Sequence, residues 1–321
     1  MGKLKKMITS MGVIMVIAVL SISIFVGCTS TATQTTVASQ ESTANAETNT
    51  TQTPGLKFTD ETLVLTGSTT LLEVVQKWAE EFMKLYGGKI TVNGGGSGEG
   101  IAALINGTTD LATASRTIKD EEKAQIEEAG GKVKEYAVLN DGICVVTSKN
   151  IDVKELTTDQ LADIFMGNIT NWKEVGGPDA NIVAAARDTS SGTGEYFLEE
   201  IIQKGKTEKE NDYSPNCLRL QSNSEIVNQI ASNDNTIGYI GIGYLKEAGD
   251  TVNVVGVIKD GKPAVLPTLE NVANKSYPIS RELYIYANES NMAEIAKAFL
   301  NFVLSPEGQA IGEEVGFVRI K

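Results

Sequence analysis

The chain has 321 residues, 28 basic and 41 acidic, for a net charge of −13, and it contains no histidine. Its first 27 residues hold three lysines and no acid, so the remainder carries −16. Such an excess of acid argues against nucleic-acid binding, which depends on neutralising backbone phosphates. Without histidine, Ser-His-Asp and Cys-His nucleophile systems and all His-ligated metal sites are excluded. Ser-Lys and carboxylate chemistry stay open.

In chain order, Lys3, Lys5 and Lys6 precede an uncharged apolar run from Met11 to Val26. The run is short for a membrane span and leads into small residues, so 1–27 reads as an export signal. Its end, Phe25-Val26-Gly27-Cys28, resembles the bacterial lipoprotein signal, in which the cysteine is acylated; an uncleaved anchor helix is the alternative. Residues 28–55 are dominated by Thr, Ser, Ala, Gln, Asn and Glu, too little apolar surface to offset the entropy of ordering. They read as a solvated, disordered tether. The folded part, 56–321, is long enough for two lobes, each with a core.

Strand and helix patterns then alternate. "TLVLTG" predicts a strand and 70–85 a helix, with Thr70 and Glu73 at capping-box spacing and Gly87-Gly88 at its end. "KITVN" predicts a strand, 100–105 a helix, "TDLATAS" a strand and "KDEEKAQIEEAG" an exposed helix. "DGICVVTS" predicts a strand opening a second lobe, with the helix "TDQLADIFMG", the strand "NIVAAAR", the helices "GEYFLEEIIQK" and "SEIVNQIAS" and the strand "TIGYIGIGYL". "YPISRELYIYAN" predicts a strand and "NMAEIAKAFLNFVLS" a helix. Alternation of this kind predicts an α/β fold with mostly parallel sheets covered by helices. Cys144 lies in an apolar run and reads as a core residue. A disulfide between Cys144 and Cys217 is possible but unnecessary at this size.

Three places repeat one arrangement: a strand, a turn of small hydroxyl and glycine residues, and a helix start. They are "TGSTTLLEVV", "NGGGSGEGIAALI" and "AARDTSSGTGEYFLEE". The second is not a Walker loop, because Gly100 is followed by Ile101 and Ala102 rather than Lys and Ser or Thr. As a dinucleotide loop it lacks an acid at a second strand end. What the three share is chemistry for anions. Amides of a first helical turn have no internal partner, and the macrodipole puts partial positive charge there. Glycine allows close approach, and hydroxyls add donors that turn to suit. Arg187 at the third turn adds a planar, permanently charged fork. Each turn alone could merely cap its helix. Long-range repulsion by the net charge is screened beyond about 8–10 Å, whereas direct donors act at contact. Four to six hydrogen bonds to a charged group, at roughly 1.5–3 kcal/mol each, cover the ~8 kcal/mol of micromolar affinity.

At these residues the chain resembles the phosphate-binding proteins of the bacterial phosphate-specific (Pst) ABC importer, in their short lipoprotein form. The resemblance covers nearly all of 60–321, on "GSTTL", "GGGSGEGI", "DLATASR", "ADIFMGNITNWKEVGG", "RDTSSGTGEYF", "TIGYIGIGYL" and "YPISRELYIY". It implies a type II periplasmic-binding-protein fold, with lobe 1 from 56–140 plus 278–321 and lobe 2 from 141–277. Hinge crossings are expected near Asn140–Gly142 and Lys275–Ile279. The matching motif positions imply that Thr69, Thr70, Ser97 and Ser115 bind ligand from one lobe, and Arg187, Ser191, Gly192 and Thr193 from the other. The resemblance implies no enzyme activity, no cofactor and no metal. It implies inorganic phosphate as ligand, permease subunits of an importer as partners, a lipid anchor through Cys28 in the outer leaflet, and a monomer.

One position departs from the family pattern. Better-known members carry an aspartate where this chain has Ser115, and a carboxylate there accepts the proton of hydrogen phosphate while repelling sulfate. With serine, Arg116 is a neighbouring source of positive charge, and Glu99 or Asp141 a candidate acceptor. Asp110 is expected to bind backbone. Binding of another tetrahedral oxyanion, sulfate or molybdate, is the alternative. A surface phosphatase or Ser-Lys hydrolase around Ser191, and an adhesin or sensor, are further readings.

Overall fold

A computed structural model describes residues 57–320. The expected signal peptide, the acylation site Cys28 and the tether to residue 55 lie outside the described residues. The first elements are β1 (Phe58–Gly67), α1 (Leu72–Tyr86), β2 (Gly87–Gly94), α2 (Ser97–Ile105), β3 (Leu111–Ala114), α3 (Asp120–Glu128) and β4 (Val133–Ser148). β1 pairs in parallel with β2 on one side and β3 on the other, and parallel neighbours need helical returns. α1 and α2 supply them. α1 turns Val74, Val75, Trp78 and Phe82 inward at helical spacing, and Gly87, at φ 77°, ends it.

The chain continues through β5 (Glu155–Thr157), α4 (Thr158–Met166), β6 (Val183–Arg187), α5 (Gly192–Phe197), β7 (Leu218–Leu220), α6 (Asn223–Ser232), β8 (Thr236–Gly241), α7 (Leu245–Ala248) and β9 (Val252–Ile258). After α8 (Leu269–Ala273) it returns along β10 (Ser280–Asn288), α9 (Glu294–Leu304), α10 (Pro306–Val315) and β11 (Val318–Arg319). The main strand order is β2-β1-β3-β10-β4-β8-β6-β7.

β4 joins the two halves. Its residues up to Gly142 pair with β10, and from Ile143 onward they pair with β8 and β9. Beside this change of partner, Ile143 N–H donates to Ile279 O at 2.9 Å and Tyr277 OH to Ile143 O at 2.7 Å. The fold is the two-lobed α/β architecture expected, with a lower share of parallel pairing. Among the described ladders five are parallel and five antiparallel. The antiparallel ones all involve β4, which runs between the halves, or β10, which pairs with β3 and with β4 up to Gly142.

Three local expectations are corrected. The Thr70–Glu73 capping box is not formed: Leu71 is the N-cap, without a side-chain bond, because the Thr70 hydroxyl is engaged across the molecule by Thr193. The strand at "TIGYIGIGYL" stops at Gly241, where the Asp141 carboxylate takes the Ile242 N–H at 3.0 Å and ends the ladder. β4 starts eight residues before "DGICVVTS", its first half being half-exposed and charged. Cys144 and Cys217 are free thiols, both buried.

Phe82 anchors the first core, with Tyr86, Phe299 and Phe302 ring centroids 4.9, 5.5 and 5.9 Å away. Phe82→Ala should cost about 3–5 kcal/mol. Calorimetry should register this as a Tm lower by about 10 °C; an unchanged Tm would contradict the packing.

Candidate functional site

The three hydroxyl–glycine turns converge on one seam between the halves. The seven side chains singled out from sequence (Thr69, Thr70, Ser97, Ser115, Arg187, Ser191, Thr193) are at most 6 % exposed, and Gly192 is buried with them. Burying so many hydroxyls is tolerated only where they bond to one another or to fixed donors. From the first turn, Thr70 Oγ1 lies 2.7 Å from Thr193 Oγ1 of the third. From the second, Ser97 Oγ lies 3.2 Å from Ser115 Oγ and accepts the Ser115 N–H at 3.0 Å. Ser115 Oγ is 3.4 Å from Thr193 Oγ1.

Backbones close the same seam. Gly98 N–H donates to Ser190 O at 3.1 Å. Gly96, at φ 112°, passes so near Ser190 that a Cβ there would lie 2.5 Å from its carbonyl oxygen. Glycine is required by both the dihedral and the contact. Among the described residues Ser191 has no hydrogen-bond partner across the seam; its Oγ caps α5 by accepting the Gly194 N–H at 3.1 Å. Its flanking residues Ser190 and Gly192 make the cross-seam approach instead.

Arg187 ends β6 and is fully buried. Its Nη2 donates to Thr69 Oγ1 at 2.6 Å and Gln221 O at 2.5 Å, its Nη1 to Asn223 Oδ1 at 3.2 Å, and its Nε to Leu220 O at 3.3 Å. These four bonds all end on neutral oxygens and leave one of five guanidinium N–H groups unused. An aromatic core fixes the backbone beneath it. Phe197 stacks on Tyr239 at 4.2 Å, and Tyr239 Oη accepts the Arg187 N–H at 3.0 Å. Tyr213 OH meets Tyr239 OH at 2.7 Å and donates to Gly194 O at 2.8 Å. Burial pushes the Tyr239 hydroxyl up to about 12, so it stays a neutral strut.

The other two buried arginines are charge-matched. Arg116 forks onto Glu122 at 2.6 and 2.8 Å. Its Nε lies 2.5 Å from Glu195 Oε2 across the seam, a contact of charge rather than of hydrogen-bond geometry. Lys119 pairs with the same Glu195. Arg116 therefore brings the hydroxyl cluster no free positive charge. Arg281 forks onto Asp141. Arg187 alone of the three has no carboxylate at ion-pair distance among the described residues, and burial lowers its pKa from the usual arginine value. Sequence reasoning missed Arg281. Its signal was phase: along β10 it shares the buried positions of Leu283, Ile285 and Ala287.

The remaining acids sort plainly. Asp110 accepts the Val64 N–H at 2.7 Å and is bound to backbone. Glu99 is exposed. Asp141 is fully buried, and burial raises its pKa against the pull of Arg281. Among the described residues no cluster of acids, cysteines or histidines could hold a metal, and no helix is long and apolar enough to cross a membrane.

Comparison with known proteins gives a consistent result. Residues 30–307 match the family model of the PBP superfamily domain. The chain is 35 % identical over 258 residues to a protein of Staphylococcus epidermidis named phosphate-binding protein PstS, covering 78 % of this chain and 77 % of that one. Among solved structures, it is similar to a putative phosphate ABC transporter substrate-binding protein with bound phosphate from Clostridium perfringens. There the TM-score is 0.71 and the identity 36 %, over 81 % of this chain and 100 % of that one. An ABC-type phosphate transport receptor from Vibrio cholerae gives a TM-score of 0.65 at 29 % identity, over 81 % and 100 %.

Proposed function

Since the chain belongs to the PBP superfamily and, within it, to the family of the phosphate-binding proteins PstS, we propose that it is an extracytoplasmic solute-binding protein that captures inorganic phosphate for an ABC importer. The observation that carries the reading is Arg187. A guanidinium held in the interior with only neutral partners is costly unless an anion joins it. It sits at a seam where hydroxyls of both halves meet.

The binding residues of this reading are Thr69, Thr70, Ser97, Ser115, Arg187, Ser191, Gly192 and Thr193. Residues 56–140 plus 278–321 form one lobe and 141–277 the other, hinged where β4 changes partner and at 275–279. The bound anion takes over the hydroxyl–hydroxyl contacts, its oxygens replacing Thr70–Thr193 and Ser115–Thr193 as partners. The protein works as a monomer, held to the outer leaflet by lipid on Cys28, and passes its ligand to permease subunits. It needs no cofactor.

Another tetrahedral oxyanion is the second reading, favoured by Ser115. Among the described residues no free carboxylate stands at the hydroxyl cluster, since Asp141 is engaged by Arg281 and Ile242 N–H. Catalysis at Ser191 has little support: among the described residues its hydroxyl bonds to the Gly194 N–H and to no basic side chain, and the chain has no histidine to act as base.

Titration calorimetry on the protein without its lipid decides between the ligands. Heat with phosphate and at most weak heat with sulfate or molybdate is expected; the reverse would end the phosphate reading. Ser115→Asp should raise the phosphate-to-sulfate affinity ratio by about tenfold or more, because a carboxylate accepts the proton of hydrogen phosphate and repels sulfate. An unaltered ratio would take residue 115 out of the site.

A further inference from the structure

Arg281 ties together three pieces of the molecule: β4, the end of β3 and the start of α5. It lies at the start of β10, and its side chain is 2 % exposed. Nε and Nη2 donate to Asp141 Oδ2 at 3.0 and 2.7 Å, on the segment of β4 that joins the halves. Nη1 donates to Ser115 O at 2.7 Å and reaches Gly192 O at 3.4 Å. Nη2 also donates to Thr193 Oγ1 at 2.7 Å. Its ligands thus include one carbonyl and one hydroxyl on opposite sides of the seam. Paired with Asp141, it adds no net charge there, so its function is direction.

The direction follows from hydroxyl chemistry. A serine or threonine hydroxyl has one proton to give and two lone pairs. Where a fixed N–H already occupies one lone pair, one lone pair and the proton remain, and beside an anion the proton is what the hydroxyl offers. Four seam hydroxyls are committed in this way. Thr69 Oγ1 accepts from Arg187, Thr193 Oγ1 from Arg281, Ser97 Oγ from Ser115 N–H, and Ser191 Oγ from Gly194 N–H. Thr70 Oγ1 and Ser115 Oγ have only other hydroxyls as partners among the described residues. Thr193 Oγ1 lies 2.7 Å from Thr70 Oγ1 and Ser97 Oγ 3.2 Å from Ser115 Oγ, contacts in which either oxygen can donate. Each contact joins a hydroxyl held by a fixed N–H to one that can turn.

We infer that Arg281, pinned by Asp141, is a positioning residue that commits the Thr193 hydroxyl to donating toward the bound anion, leaving Ser115 free to turn and accept the proton of a hydrogen phosphate. The inference rests on the phosphate reading above and adds the device by which a site without a free carboxylate still handles a protonated ligand. It also assigns a use to the buried ion pair. Such a pair contributes little net stability, whereas as a rigid donor it fixes a hydroxyl that would otherwise rotate.

A double-mutant cycle tests it, with phosphate as the titrant. Arg281→Lys keeps the charge but cannot serve Asp141, Ser115 O and Thr193 together. It should weaken phosphate binding by about tenfold or more in the wild-type background, and by less than about threefold in the Thr193→Val background. Equal losses in both backgrounds would overturn the role of Arg281. Should Arg281→Lys fail to fold, the guanidinium NMR signals of the otherwise unaltered protein give the second readout. Phosphate saturation should shift the Arg281 Nη resonances, and Thr193→Val should remove that shift; resonances indifferent to phosphate would overturn the inference. Absence of phosphate binding by the wild-type protein would instead remove the functional reading, and this inference with it.

Discussion

Arg187→Met is expected to weaken phosphate binding by at least about a hundredfold, roughly 3 kcal/mol, while the unliganded protein keeps its Tm within about 5 °C. The loss follows from two roles. The guanidinium offers its unused N–H and its charge to the anion, and its Nη2 fixes the Thr69 hydroxyl as a donor. The small effect on the unliganded fold is a balance of opposing terms. Methionine of similar length removes an unmatched cation from the interior, which is favourable. It also takes the donor from Gln221 O, at about 1–3 kcal/mol if no substitute is found, while Leu220 O keeps the Asp188 N–H and Asn223 Oδ1 the Gly241 N–H. Calorimetry for binding and for melting checks both halves of the statement. Affinity within threefold of wild type would take Arg187 out of the site. A protein that melts far lower would make it a structural arginine first.

Gly192→Ala is the second large effect, and it acts through closure rather than charge. A Cβ on Gly192 would overlap Ser97 Oγ and sit 2.9 Å from Ser115 Oγ, both on the opposite side of the seam. Gly192 is not at positive φ, so alanine suits its own turn and the conflict exists only where the halves meet. Overpacking of this kind costs about 1–3 kcal/mol, so phosphate affinity should fall by about ten- to a hundredfold, chiefly as faster release. Stopped-flow release rates and calorimetry measure it. Wild-type affinity and release would mean that the halves do not approach as closely in the liganded protein.

The three anion turns were legible in the sequence because each is local: a strand end, a few small polar residues and a helix start lie within ten positions. What connects them was not. Thr70 stands at capping-box spacing to Glu73, the local option beside its place in the ligand set, whereas the fold gives its hydroxyl to Thr193, 123 residues away. The pattern after Thr236 predicts too long a strand, because nothing near Ile242 reveals that Asp141 will take its N–H. Half of β4 was overlooked, since its charged, half-exposed residues pattern like a surface segment until β10 is laid beside it.

Arg281 shows the same limit from the other side. An arginine in the inward phase of an apolar strand is visible in "SRELYIYA", but its partner Asp141 lies 140 positions earlier and only pairing of β10 with β4 brings them opposite. The acids behave likewise. Asp110 could be set aside from its own neighbourhood, while the choice between Glu99 and Asp141 needed burial, a property of the whole fold.

A crystal structure of the protein with phosphate tests the central claim most directly. One phosphate is expected in the seam, its oxygens within hydrogen-bond reach of Thr70, Ser97, Ser115 and Thr193, with Arg187 beside it. Phosphate bound instead among Lys259, Lys262 and Lys275 in the open groove of about 1250 Å³ alongside, with the hydroxyl contacts of the seam unbroken, would contradict the account.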